Sequence, residues 1–85
     1  MAEVVIYSRK LCGYCSAAKS LLSSKGVEFT EHDGTFSPEI RAEMVERSNG
    51  KKTFPQIFIN DISVGGFDEL NVLEQSGQLD KLLFE

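Results

Sequence analysis

The sequence predicts an α/β fold in which one mixed β-sheet, four strands wide, carries helices packed against it. Three observations lead there. Segments of strand-like and helix-like periodicity follow one another in the order β-α-β-α-β-β-α-α. The first of them is a continuous apolar, β-branched run, as in the buried strands of partly parallel sheets. The third and fourth strand segments are separated by only Asn60-Asp61, which suits a tight antiparallel hairpin. A strand joined through a helix to a parallel neighbour, followed by a hairpin, builds a single mixed sheet with helices against it.

Taken in order, Val4-Val5-Ile6-Tyr7 reads as the first strand and Ser8 to Leu11 as a short loop. From Tyr14 to Lys25 the apolar residues Ala17, Ala18, Leu21 and Leu22 recur at helical spacing, and Gly26 supplies the stop. Val27-Glu28-Phe29-Thr30 alternates and reads as the second strand, which leaves His32 as an exposed loop residue beyond it. Ser37-Pro38-Glu39 is a helix start: a hydroxyl cap, a proline in the first turn and an acid at the positive helix end. Ile40, Met44 and Val45 form its buried stripe, and Asn49-Gly50 ends it. Gln56-Ile57-Phe58-Ile59 and Ile62-Ser63-Val64 are the arms of the hairpin, because Asn and Asp tolerate the positive φ its turn requires. Gly65-Gly66 breaks the last strand. Asp68 is placed to cap a helix through Leu70 and Leu73, and Gly77 separates a final stretch whose Leu79, Leu82, Leu83 and Phe84 read as a packing cap.

At 85 residues the chain has room for one domain, spanning 1–85, with a thin core. It is 41% hydrophobic and 26% charged, with six Phe and no Trp, as soluble globular domains are. Nine Lys and Arg against thirteen Asp and Glu leave a net charge of −4, which opposes sequence-independent binding of nucleic acid. The two basic pairs, Arg9-Lys10 and Lys51-Lys52, are too short to cover a phosphate backbone. No apolar stretch approaches the roughly 20 residues of a membrane span, and the first ten residues do not resemble a signal peptide. A cytoplasmic location is the expectation.

Cys12 and Cys15 are the only cysteines, separated by Gly13-Tyr14. As a structural staple the pair is poorly placed: so small a ring stabilises by about 2 kcal/mol, against about 3 kcal/mol for a loop of about fifteen residues. As a zinc site it lacks partners, since four ligands are needed and only His32 remains. A redox pair is the reading that C-x-x-C beside a βαβ pattern supports. The pair sits where the first strand feeds the first helix. Free N–H groups of the first helical turn would face the Cys12 sulfur there and favour its thiolate, with Arg9 and Lys10 adding positive charge upstream. Cys15, most of a turn further in, has fewer free N–H groups and less solvent. Cys12 is therefore expected to attack and Cys15 to resolve.

Three motifs, in order, resemble those of the glutaredoxins: Cys12-Gly13-Tyr14-Cys15, then Thr53-Phe54-Pro55 leading into Gln56-Ile57-Phe58-Ile59, then Gly65-Gly66-Phe67-Asp68-Glu69-Leu70. The resemblance covers essentially the whole chain. Thioredoxins proper usually carry a tryptophan beside the first cysteine, and this chain has none. What the resemblance implies is a thioredoxin-like fold and a glutathione-dependent thiol–disulfide oxidoreductase acting on glutathionylated and disulfide-containing proteins. Cys12 would take up the glutathionyl group and a second glutathione would release it; Cys15 would resolve mixed disulfides formed with protein disulfides. Pro55 resembles the family's cis-proline, which turns the backbone of Phe54 towards the cysteines to pair with an extended ligand. Thr53 would join Phe54 and Pro55 in the glutathione groove, Gly66 and Phe67 would border it, and Tyr14 would line it by its ring. Asp68 would meet the γ-glutamyl ammonium, with N–H groups at the helix start meeting its carboxylate. Arg9 and either Lys51 or Lys52 would hold the glycyl carboxylate.

The chain departs from the family pattern twice. Gly13 stands where dithiol members usually carry proline, and it lacks proline's fixed φ. Glycine here also resembles members that bind a [2Fe–2S] cluster between two chains, with Cys12 of each chain and two glutathione thiols as ligands. Cluster binding is thus the alternative function; otherwise a monomer with no metal of its own is expected. Phe54 stands where valine is usual, and its larger ring is expected to narrow or reshape the groove.

Overall fold

The computed structural model describes residues 2–85. Strand β1 (Val4–Ser8) leads into α1 (Gly13–Ser24), β2 (Thr30–Asp33) into α2 (Pro38–Arg47), and the hairpin β3 (Gln56–Ile59) and β4 (Ile62–Gly65) into α3 (Phe67–Gln75) and α4 (Gln78–Phe84). The sheet runs β2-β1-β3-β4, with β1 parallel to β2 and antiparallel to β3. This is the four-stranded mixed sheet the sequence predicts.

All five residues of β1 are buried, because the strand is central and helices cover both its faces. Alternation sends Val4 and Ile6, with Ile57 and Ile59 of β3, towards Ala18 and Leu22 of α1, Leu70 of α3 and Leu79 and Leu83 of α4. Val5, Tyr7 and Phe58 point the other way, onto Met44 of α2. Leu79 and Leu83 are thus part of the main core rather than a cap, whereas Phe84 is half exposed. So thin a core needs the last helix.

Two further expectations are corrected. The second strand begins at Thr30, where Val27–Thr30 was expected, and Thr30 pairs with Val5. Val27 is buried in the core, with its N–H on the Leu22 carbonyl at 3.3 Å. The alternation there reports packing beneath α1, not a ladder. As an edge strand, β2 needs little apolar sequence, so Thr30-Glu31-His32-Asp33 carries no strand signal. His32 therefore lies in a strand and not in a loop: it is opposite Tyr7, with the two rings 5.1 Å apart.

The remaining elements follow local chemistry. Ser37 caps α2, its Oγ accepting from the Ile40 N–H at 3.2 Å, with Pro38 in the first turn. Asn60 and Asp61 both take positive φ, 51° and 66°, as the tight turn demands. Among the described residues no helix is long and apolar enough to cross a membrane.

Candidate active site at the first strand–helix junction

Central strand β1 delivers the chain to the N-terminus of α1, and Cys12 is the residue that caps it. Its backbone is extended, and its Sγ accepts from the Cys15 N–H at 3.2 Å, one of the N–H groups that a helix start leaves free. No acidic side chain occupies the first turn of α1, so nothing there opposes the positive end of the helix. Cys12 is half buried and Cys15 is 1% exposed. The two are joined as a disulfide, with their Cα atoms 5.2 Å apart. The sulfur nearer to solvent is thus the one that the helix end faces.

Across from Cys12 lies the loop before β3. The Phe54–Pro55 peptide bond is cis, and the Phe54 carbonyl oxygen lies 4.0 Å from Cys12 Sγ. The loop is held from below by buried Gln56, whose side-chain amide donates to Thr53 O at 3.0 Å and Thr53 Oγ1 at 3.2 Å. Gln56 is expected from its sequence context to be a strand residue, and its part in the site is an addition made by the structure. Its signal was a polar side chain opening an otherwise apolar strand. The ring of Phe54 reaches the β2–α2 loop: a Cβ on Gly34 would fall 3.0 Å from Phe54 Cζ, and Arg41 lies 5.8 Å from the ring centroid. The far end of that ring is seated against that loop, and Phe54 also lines the groove described below.

The third component is the turn into α3. Gly65 has φ 114°, a conformation that strains any other residue, and a Cβ there would lie 2.6 Å from Glu69 Oε1 and so displace that carboxylate. Gly66 caps α3, and Glu69 reaches back to accept from the Gly66 N–H at 2.9 Å. The cap expected of Asp68 is therefore supplied by Gly66 and Glu69. Asp68 sits inside the first turn with its carboxylate exposed. Tyr14 and Phe67 stack across the top, ring centroids 6.0 Å apart and 24° between planes, which links the cysteine turn to the α3 turn.

These parts enclose a groove of about 230 Å³. Seven of the ten predicted groove residues line it, namely Tyr14, Thr53, Phe54, Pro55, Gly66, Phe67 and Asp68, and Glu69 joins them. Arg9, Lys51 and Lys52 lie outside this lining. The Arg9 guanidinium donates to the carbonyls of Lys10 at 3.1 Å and Leu11 at 3.4 Å, folding back on its own loop. Lys51 and Lys52 are exposed after α2, and Ser48 Oγ ties the Lys51 backbone.

Polar networks brace the site from behind. The Ser8 hydroxyl and then the Lys19 ammonium hold the Glu31 carboxyl below its ordinary value, Ser8 being the last residue of β1. Thr35, through its hydroxyl and then its N–H, does the same for Asp33 in the β2–α2 loop. On the α2 face, burial and then the bond to Glu43 raise the Tyr7 phenol, against the pull of Arg47. Among the described residues no group of three or more His, Cys, Asp and Glu side chains is arranged to hold a metal ion. The chemistry this arrangement offers is sulfur exchange at Cys12, with a second sulfur within bonding reach and a groove beside it for an extended ligand.

Comparison with known proteins bears on that chemistry. The glutaredoxin family profile matches residues 4–64. Glutaredoxin 3 of Escherichia coli strain K12 is 49% identical over 83 residues, covering 98% of this chain and 99% of its own. The solution structure of glutaredoxin from Brucella melitensis is 55% identical and superposes with a TM-score of 0.84, over 98% of this chain and 89% of that one. The crystal structure of a buckwheat glutaredoxin–glutathione complex is 27% identical with a TM-score of 0.86, over 96% of this chain and 76% of that one. The thioredoxin-like sheet, the cysteine pair capping α1 and these likenesses over nearly the full length agree: the chain belongs to the glutaredoxin family, whose members are generally thiol–disulfide oxidoreductases.

Proposed function

We propose that this protein uses glutathione to reduce protein–glutathione mixed disulfides and protein disulfides, with Cys12 as nucleophile and Cys15 as resolving thiol. The observation that carries the reading is the asymmetry of the pair: Cys12 Sγ accepts a helix-terminal N–H beside the groove, while Cys15 is 1% exposed. In the first step the Cys12 thiolate attacks the glutathionyl sulfur, forming a Cys12–glutathione disulfide and expelling the protein thiolate. A second glutathione thiolate attacks that disulfide, leaves as oxidised glutathione and restores Cys12. With a protein disulfide, Cys15 attacks the Cys12–protein mixed disulfide, and glutathione reduces the resulting Cys12–Cys15 bridge. The first route consumes one free glutathione, since the substrate's own glutathionyl group forms the other half of the oxidised glutathione; the second route consumes two.

The groove suits glutathione by its chemistry. The Phe54 backbone beside Cys12 is open to pairing with an extended peptide, Asp68 offers a carboxylate to the γ-glutamyl ammonium, and N–H groups at the start of α3 suit the carboxylate beside it. The glycyl carboxylate would then fall to Lys51 or Lys52, or to Arg9 on release from its loop carbonyls. The buckwheat relative solved as a glutathione complex supports the ligand class. Monomeric action in the glutathione-rich cytoplasm belongs to the same reading.

Gly13 carries a second reading, a [2Fe–2S] cluster bridging two chains. A Cβ at Gly13 would meet nothing within 4 Å, so the turn is open on that side. Each chain would supply the Cys12 sulfur alone, and glutathione the remaining ligands.

The test is glutathione-dependent reduction of a small glutathione mixed disulfide, coupled to glutathione reductase and NADPH. Activity lost in Cys12→Ser and kept in Cys15→Ser supports the nucleophile assignment. An inactive native protein that turns brown on anaerobic reconstitution with iron, sulfide and glutathione would move the cluster reading to first place.

A further inference from the structure

Leu11, immediately before Cys12, is 100% exposed and holds φ at 55°. A non-glycine residue in this left-handed region costs roughly 1–2 kcal/mol, and leucine has no polar side chain to offset that cost locally. Such outliers persist only where the surroundings impose them. Here they do. Arg9 Nη1 binds the carbonyls of Lys10 and Leu11, and the Lys10 N–H donates to Thr35 Oγ1 at 2.7 Å. Thr35 is in turn fixed by Asp33, and the Gly34 N–H donates to Ser8 O at 2.8 Å. The β1–α1 and β2–α2 loops thus form one braced rim. The second loop carries Phe36, which is 84% exposed and has the Lys10 ammonium 5.4 Å from its ring centroid.

The sheet order puts this rim on the β2 side of Cys12, while the groove is built before β3 and after β4 and adjoins the rim where the Phe54 ring meets Gly34. A glutathionylated protein has two halves at its disulfide. If the groove takes the glutathionyl half, the protein half has to leave from outside it, and the rim continues from the nucleophile itself. We propose that Leu11 and Phe36 are specificity-determining residues that contact apolar side chains flanking the modified cysteine of a protein substrate. Arg9 is then a positioning residue for Leu11. The proposal rests on the glutathione-dependent reading above and deepens it by assigning the class of protein partner.

The test uses three substrates: cysteinyl-glutathione and two short peptides carrying a glutathionylated cysteine, flanked by leucines in one and by serines in the other. Covering about half a leucine side chain predicts a preference of about fivefold in kcat/KM for the leucine peptide. Leu11→Asn, which tolerates the same φ, and Phe36→Ser should each remove most of that preference and leave cysteinyl-glutathione turnover within about twofold of native. A preference retained in both variants would overturn the proposal. So would an equal loss on all three substrates, since Leu11 would then act through Cys12. Failure of the native protein on cysteinyl-glutathione itself would instead remove the underlying reading, and the proposal with it.

Discussion

Replacing Gly34 by alanine isolates the fit between Phe54 and the β2–α2 loop. Gly34 is buried, and its φ lies outside the left-handed region, so alanine meets no backbone strain. On backbone terms alone, Gly34→Ala should stabilise by roughly 0.4–1 kcal/mol through the unfolded chain. Against that, the new Cβ would lie 3.0 Å from Phe54 Cζ and 3.3 Å from both Phe54 Cε1 and Arg41 Cγ. Comfortable carbon contacts are about 3.5–4.0 Å, so the ring must retreat by about half an ångström or more. Its retreat is hindered, because the Phe54 carbonyl faces Cys12, Gln56 ties the adjoining Thr53, and Arg41 lies 5.8 Å from the ring centroid. Overpacking of this kind costs roughly 1–3 kcal/mol, so the net destabilisation should be about 1–2 kcal/mol, or roughly 4–15 °C in Tm for a domain of this size. In a Phe54→Val background the obstructing ring is gone, and Gly34→Ala should become neutral or stabilising. Urea unfolding of the four proteins with both cysteines reduced gives the coupling, expected near 2 kcal/mol. A coupling within about 0.5 kcal/mol of zero, the range of independent sites, would refute the reasoning.

Glu69→Ala removes the acceptor for the Gly66 N–H, so it should cost about 1 kcal/mol in urea unfolding and raise KM for a small glutathione mixed disulfide more than it lowers kcat. Tyr7→Phe deletes a buried hydroxyl that donates to Glu43 and accepts from Arg47 at 2.8 Å; both partners can turn to solvent, so the expected loss is about 1 kcal/mol. Because Glu31 is held below its ordinary pKa by Ser8 and Lys19, its contribution is present above the unfolded value, about pH 4.3, and fades as pH falls through the lower folded value. Ser8→Ala should therefore lower stability at neutral pH and narrow the gap to the native protein below about pH 4, as urea midpoints against pH would record.

Much of the molecule was legible because its signals are local. The run Val4–Tyr7, the Ser37-Pro38 start, the Asn60-Asp61 turn and the Gly65-Gly66 break each depend on residues within one element. The same holds for Cys12, whose place as the cap of α1 follows from a strand running straight into a helix. Local signals mislead where the identity of a residue and its role separate. Val27 and Phe29 alternate as a strand would, but Val27 packs beneath α1, while polar Thr30–Asp33 pairs with β1. Asp68 has the chemistry of a cap, but the tight Gly65-Gly66 turn brings Glu69 to that task.

By itself, the sequence determined the α/β class, the order of the elements and the position of two thiols at a strand–helix junction, since apolar periodicity and spacing are read along the chain. The tertiary structure alone decided three other things. It set which residues of the second strand pair with the first, seated the Phe54 ring against Gly34, and left Leu11 exposed beside Cys12 at a positive φ. Each of these depends on contacts between segments far apart in sequence or on one backbone angle imposed by neighbouring loops. Such constraints arise only when the sheet closes and brings the loops together.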